Sequence, residues 1–157
     1  MSKLQIYTDG GCRGNPGPGA WAFIVYDYEG KRLGSQSGVD GATTNNAMEL
    51  MAILKAIMWA NKHKHHITIS TDSNYSKQGC ESWAWSWKKK GWKKSDGGTP
   101  ENLAIWVMLI DAMDIYKNIH GEIPTFIKVK GHSGDPMNNE VDALVNVKMD
   151  EEEYKQI

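Results

Sequence analysis

"LQIYTD" (residues 4–9) and "ITISTD" (residues 67–72) decide the fold, because both alternate in polarity and both end on an aspartate. In the first, Leu4, Ile6 and Thr8 lie on one side and Gln5, Tyr7 and Asp9 on the other; in the second, Thr68 and Ser70 share a side with Asp72. Each reads as a strand whose terminal carboxylate belongs to the more polar face. Between them, Leu50, Met51, Leu54, Ile57 and Met58 recur at helical spacing over 46–61, with Thr44 or Asn45 as the N-cap. Strand, helix, strand in this order forms a right-handed crossover, which sets the two strands parallel in one sheet. Their C-terminal ends then share an edge, about 4.8 Å apart across the ladder. Open α/β sheets bind ligands at such an edge.

The rest of the chain fills in around this unit. "AWAFIVYDYEGKRLGSQSG" (residues 20–38) reads as a strand, a turn near Glu29 and Gly30, and a more polar third strand, the short connection favouring antiparallel neighbours. After Asp72, "SNYSKQGCESWAWSWKKKG" (residues 73–91) gives helix-compatible runs with a glycine break; a helix over 102–117, a strand in "TFIKVKG" (residues 125–131) and a helix over 138–150 follow. The order β-β-β-α-β-α-α-β-α predicts an α/β fold with a five-stranded mixed sheet, three antiparallel strands and then two parallel ones, covered by helices on both faces. Without internal repeats or a linker, the expectation is a single domain over 1–157, with a core of about 3–149 and a short acidic C-terminal tail.

Composition narrows the function classes. The 157 residues carry 18 Lys and Arg against 19 Asp and Glu, so any attraction to a polyanion must come from uneven placement of charge. Lys88, Lys89, Lys90, Lys93 and Lys94 stand far in sequence from the acidic 150–153 run. Two cysteines, Cys12 and Cys80, make no disulfide framework, and with His63, His65 and His66 they lack zinc-site spacing. "HKHH" (residues 63–66) follows a helical pattern, where basic groups complement the C-terminal dipole. "GGCRGNPGPG" (residues 10–19) has turn chemistry but neither a Walker lysine nor a dinucleotide fingerprint. No stretch approaches membrane-span length, and a cytoplasmic protein with reduced thiols is expected.

Asp9 and Asp72 therefore converge at one sheet edge, and Glu49, about 100° round its helix from Leu50, flanks the apolar face and can reach the same place. Carboxylates that close repel and raise one another's pKa, and a divalent cation with oxygen preference relieves the strain. Taken one at a time, each aspartate reads more readily as a turn or cap residue; it is the set that points to a metal site.

"YTDGGCRGNPGPGAW", "TTNNAMEL", "STDSNYSKQG", "WKKKGW" and "KGHSGDPMNNEVDALV" stand in the order and approximate spacing of type 1 ribonuclease H, and the chain resembles a bacterial member of that family over about residues 3–149. The resemblance places four metal-binding carboxylates on Asp9, Glu49, Asp72 and Asp142 and a catalytic histidine on His132. It implies cleavage of the RNA strand of an RNA–DNA hybrid with two Mg2+ ions, Mn2+ being the alternative cation, leaving 5′-phosphate and 3′-hydroxyl ends. A histidine can gain or lose a proton near neutral pH, which suits His132 for proton transfer or product release.

By the same resemblance, Cys12, Arg13, Gly14, Asn15, Asn46 and Gln78 would read the RNA 2′-hydroxyls. Thr44 and Asn102 would form a phosphate pocket for the DNA strand, and Tyr75, Trp83 and Trp87 an aromatic channel for it. In "WAWSWKKKGWKK" (residues 83–94), Trp83 and Trp87 lie on one helical face with Trp85 turned inward, and the lysines form a basic protrusion gripping phosphates without reading sequence. The expected partner is a hybrid duplex, bound by a monomer and not by a membrane protein. Two departures from the family pattern stand near the last aspartate: Asn139 and Glu140 replace an acid-then-base pair, and "DALVNVKMD" (residues 142–150) lacks an alanine-rich run. The competing readings are a non-catalytic hybrid-binding module, another polynucleotidyl transferase of the same fold, and a protein whose carboxylates hold a structural cation.

Overall fold

The computed structural model describes residues 3–130 and 134–155. His132 lies outside the described residues. Strands β1 (Leu4–Cys12), β2 (Gly17–Tyr26), β3 (Arg32–Thr43), β4 (Ile67–Thr71) and β5 (Thr125–Lys128) form one sheet in the order β3-β2-β1-β4-β5. β1, β2 and β3 pair antiparallel, whereas β4 lies parallel to β1 and β5 parallel to β4. The sheet is the one expected from the order of elements.

Strand alternation separates two cores. Ile6, Phe23, Val25, Ile67 and Ile69 face a layer made by α1 (Asn45–His63) and α4 (Leu103–His120), through Leu50, Ile53, Ile57, Trp106, Leu109 and Met113. Tyr7, Ala20, Ala22, Ile24 and Tyr26 face the other way, onto Val141, Val145 and Met149 of α5 (Pro136–Lys155). The continuous apolar run of β2 follows from its central place, with both faces covered. α1 starts at Thr44, whose hydroxyl accepts from the Ala47 amide at 3.2 Å, and ends at Lys64 in the left-handed region. This settles the N-cap on Thr44 rather than Asn45.

Several boundaries differ from the sequence reading. Gly79 does not break the helix after β4: its backbone is helical, and α2 (Asn74–Gln78), a π-helical turn (Gly79–Trp83) and α3 (Ala84–Lys89) run on without a gap. A Cβ at Gly79 would lie 2.1 Å from the Trp106 ring, so the glycine is there to admit a buried indole. α4 continues past 117 to His120, where Gly121 closes it at φ 84°. α5 begins earlier and ends later than 138–150. Asp135 caps it by accepting from the amides of Met137 at 3.0 Å and Asn138 at 3.3 Å, and Pro136 takes the first helical position, where no amide hydrogen is needed. The acidic run 150–153 is accordingly the last part of a helix, not a tail.

No helix among the described residues is long and apolar enough to cross a membrane.

Candidate active site

The register of the parallel pair builds the site. Gln5 is level with Thr68, and Tyr7 with Ser70; the same offset carried two residues further sets Asp9 level with Asp72, just past the end of the parallel ladder and of β4. Glu49 arrives from the other side of the sheet, and Gly10 is what lets it. A Cβ at Gly10 would lie 2.3 Å from the Met48 carbonyl carbon and 2.5 Å from the Glu49 amide nitrogen, so the first turns of α1 press directly on the β1 backbone. The Gly10 amide donates to the Glu49 carboxylate, fixing its direction.

Carboxylate oxygens of Asp9, Glu49 and Asp72 lie within 4.8 Å of one another. They form the one group among the described residues with the geometry to hold a metal ion. Asp142, on α5, joins them at the wall of a cavity of about 480 Å³ that Cys12, Arg13, Asn45, Asn46, Ser73 and Asn146 also line. The histidines at 63–66 form no such group, as their helix-end reading implied.

The electrostatics are those of acids held together against repulsion. Asp9 and Glu49 are buried, at 6% and 8% exposure. Burial, followed by the negative charges of Asp72 and Asp142, pushes the Asp9 carboxyl up to about 7, against a hydrogen bond with Glu49 that pulls it down. Glu49 is raised well above the ordinary carboxylate range, again by burial first and then by Asp9 and Asp72. Such a set of hard oxygen donors with unrelieved negative charge suits a small divalent cation rather than a soft metal.

Around this centre the predicted residues fall into three groups. Cys12, Arg13 and Asn46 line the carboxylate cavity, while Gly14 and Asn15 are exposed on the loop beyond it and Gln78 is exposed at the end of α2. Thr44 and Asn102 meet in an adjoining cavity of about 610 Å³, with Asn15, Asn45, Asn46 and Glu101. Asn102 precedes α4 with φ 60° and makes no side-chain capping bond, so its amide is not consumed as a cap. Tyr75 and Trp83 have ring centroids 6.0 Å apart, and Trp83 and Trp87 6.5 Å, over a floor of Trp106, which packs edge-on to Trp87 at 5.7 Å and donates to the Tyr75 hydroxyl at 3.1 Å. Trp85 turns inward as expected, its indole donating to the Cys80 carbonyl at 2.8 Å. Lys89, Lys90 and Lys93 are exposed, Lys94 is half-buried, and Lys88 pairs with Asp114 at 2.9 Å.

Four contributors are not legible from sequence. Asn45 is no cap: its side-chain oxygen accepts from the Cys12 amide at 2.8 Å, pinning the 12–15 loop to α1. Asn146 donates to the Asp142 backbone carbonyl at 3.0 Å and accepts from Arg13 at 3.3 Å. Ser73 caps α2 beside Asp72, accepting from the Ser76 amide at 3.1 Å. Gly10 reads in the sequence only as part of a turn. A Ser or Asn directly after a strand-terminal Asp is a usable signal for the cap; the rest depend on tertiary contact.

A fold of this topology with acids at its parallel edge defines a class, and comparison with known proteins assigns the family. The RNase H family model matches residues 1–149. The ribonuclease H of Ruthia magnifica subsp. Calyptogena magnifica is 43% identical over 151 residues, covering 96% of this chain and 97% of that protein. Among solved structures, LC9-RNase H1, a type 1 RNase H with the type 2 active-site motif, superposes with a TM-score of 0.78 at 28% identity over 97% of this chain and 74% of that one. LC11-RNase H1, crystallised in complex with an RNA/DNA hybrid, superposes at 0.70 with 23% identity, over 95% and 98% of the two chains. The chain belongs to the ribonuclease H family.

Proposed function

We propose that this protein hydrolyses the RNA strand of RNA–DNA hybrids endonucleolytically, leaving 5′-phosphate and 3′-hydroxyl ends. The observation that carries the reading is the buried cluster of Asp9, Glu49 and Asp72 within 4.8 Å, with Asp142 at the same cavity. These four would hold two Mg2+ ions, with Mn2+ as the alternative. Bound there, a divalent cation supplies Lewis-acid stabilisation of the charge that builds on a phosphodiester attacked in line by water. The chain's own residues do the rest. Glu49, fixed by the Gly10 amide, and Asp9, fixed by its place in β1, keep their oxygens convergent without reorganisation.

Cys12, Arg13, Gly14, Asn15, Asn46 and Gln78 are assigned to the RNA strand, where a 2′-hydroxyl can donate and accept at once. The cavity shared by Thr44 and Asn102 takes a DNA phosphate, and the Tyr75, Trp83 and Trp87 rings take the deoxyribose face that lacks the hydroxyl. His132 is assigned to proton transfer or product release. The hybrid complex of LC11-RNase H1 supports the substrate class.

The test is incubation with Mg2+ and labelled hybrid, duplex DNA, duplex RNA and single strands. Cutting confined to the RNA of the hybrid is expected. Binding without cutting would indicate the non-catalytic module, and cutting of duplex DNA a transferase of the same fold.

The basic protrusion makes a separate, quantitative expectation. Removing one phosphate-binding cation lowers the slope of log K against log salt by about 0.9. Replacing Lys89, Lys90, Lys93 and Lys94 together by Ala should raise KM for the hybrid roughly tenfold or more at low salt and flatten its salt dependence, with kcat changed far less. Lys88→Ala alone should do little, because its ammonium is already paired with Asp114. A fall in kcat at constant KM would remove the protrusion from substrate binding.

A further inference from the structure

Three of the four site carboxylates belong to one packed unit: Asp9 lies within β1 and Asp72 just past the end of its neighbour β4, and Glu49 sits on the helix that presses against Gly10. Asp142 does not. It rides on α5, which packs only on the opposite face of the sheet, through the second and smaller core. The position of Asp142 is therefore the position of α5.

The apolar contacts of α5 are narrow. Met137, Val141, Leu144, Val145 and Met149 recur at three- and four-residue spacing and make a single stripe. Asp142 lies about 100° to one side of Val141 and Glu140 about 100° to the other. A roll of the helix about this stripe carries Asp142 towards or away from the other three acids, and whatever holds Glu140 opposes the roll.

Glu140 is held firmly. Its carboxylate accepts from the hydroxyl of Tyr26, a 2% exposed residue at the end of β2, and from the Arg32 guanidinium at 2.9 Å, at the start of β3. The Tyr7 hydroxyl adds a second tie, donating to Asp135 at 3.2 Å just ahead of the helix. The β2–β3 turn that presents Tyr26 and Arg32 is itself braced, since Asp27 accepts from the amides of Glu29 and Lys31, both at 2.9 Å.

We infer that Glu140 is a positioning residue: clamped by Tyr26 and Arg32 on one flank of α5, it sets the rotation of the helix that presents Asp142 to the metal-binding carboxylates on the other flank. The inference rests on the proposed metal site. It also gives a role to one of the two departures from the family pattern, since an acid at this position accepts from a tyrosine hydroxyl and pairs its charge with an arginine, which a basic residue cannot do.

The experiment is Mg2+ binding by calorimetry on the protein without substrate, together with the Mg2+ dependence of hybrid cleavage. Wild type must bind Mg2+ and cleave; failure of either would strike the proposed function and not this inference. Partners that orient metal ligands typically change affinity by 10–100-fold, and Glu140→Ala should weaken Mg2+ binding about tenfold. It should raise the Mg2+ concentration for half-maximal cleavage equally, with KM for the hybrid within about twofold of wild type and with kcat largely restored by excess Mg2+. Glu140→Gln, which can still accept from Tyr26 but has lost its charge for Arg32, should fall between the two and keeps the test alive if the alanine variant unfolds. Wild-type Mg2+ affinity in both variants, or in Glu140→Gln alone if Glu140→Ala does not fold, would overturn the inference. So would a loss of kcat that excess Mg2+ does not restore.

Discussion

Asp9→Asn should lose at least about a thousandfold in turnover and, without metal, melt at a higher temperature than wild type. Loss and gain have one cause. Asp9 is 6% exposed beside Glu49, Asp72 and Asp142, and its carboxyl is pushed up to about 7 by burial and by the neighbouring negative charges. A carboxyl whose folded-state pKa is raised binds its proton more tightly in the native than in the unfolded chain. Its stabilising effect is full below the unfolded value near 3.8 and is lost as pH rises through about 7. At one pKa unit per 1.36 kcal/mol, the difference is on the order of 4 kcal/mol.

An asparagine carries no charge to repel. Metal-free wild type should therefore lose stability between about pH 4 and pH 7, whereas Asp9→Asn should show a flatter profile and a melting temperature roughly 5 °C or more higher at pH 7.5. Added Mg2+ should recover much of the difference in wild type alone. Thermal melts across that range, with and without Mg2+, measure all three. A variant less stable than wild type at pH 7.5 would mean that the carboxylates are not in conflict.

The second large effect belongs to a residue with no side chain. Gly10→Ala places a methyl group 2.3 Å from the Met48 carbonyl carbon and 2.5 Å from the Glu49 amide nitrogen. Both obstacles are backbone, so no rotamer relieves them. Either α1 moves away from β1, or the strand distorts next to Asp9; in both cases the Gly10 amide loses the Glu49 carboxylate. The core between α1 and the sheet is fully packed around Leu50, Ile53 and Ile57, so displacement costs about 3 kcal/mol or more, at the upper end of overpacking penalties. The expected result is a melting temperature lower by roughly 6–12 °C and turnover lower by about a hundredfold, from thermal melts and steady-state cleavage. Near-normal activity would show that Glu49 reaches the site by a route other than close approach at Gly10.

The contrast between these two residues shows what can be read from the chain. Asp9 and Asp72 are legible because strand parity is a local property, and because two antiparallel strands followed by a helix return the chain parallel to β1. The mixed sheet and both helical layers follow from the same pattern. Asp142 is not available from parity, because its place depends on how α5 docks on the far face, and it comes only through the family resemblance. Glu140, Asn45 and Asn146 are invisible for a related reason: each works through a partner more than 30 positions away or through the roll of a helix, and neither leaves a period in the sequence. Gly79 misleads because glycine is a helix breaker by propensity, yet here the space it leaves is filled by the Trp106 ring.

Arg13 already has company. Its guanidinium lies 2.7 Å from Asp150 and 3.4 Å from Glu153, both on the last turns of α5. Were Arg13 to take up the RNA strand as proposed, that strand would exchange with these two carboxylates rather than fill a vacancy. The closing turns of the helix that carries Asp142 thus supply the anions against which any ligand of Arg13 must compete.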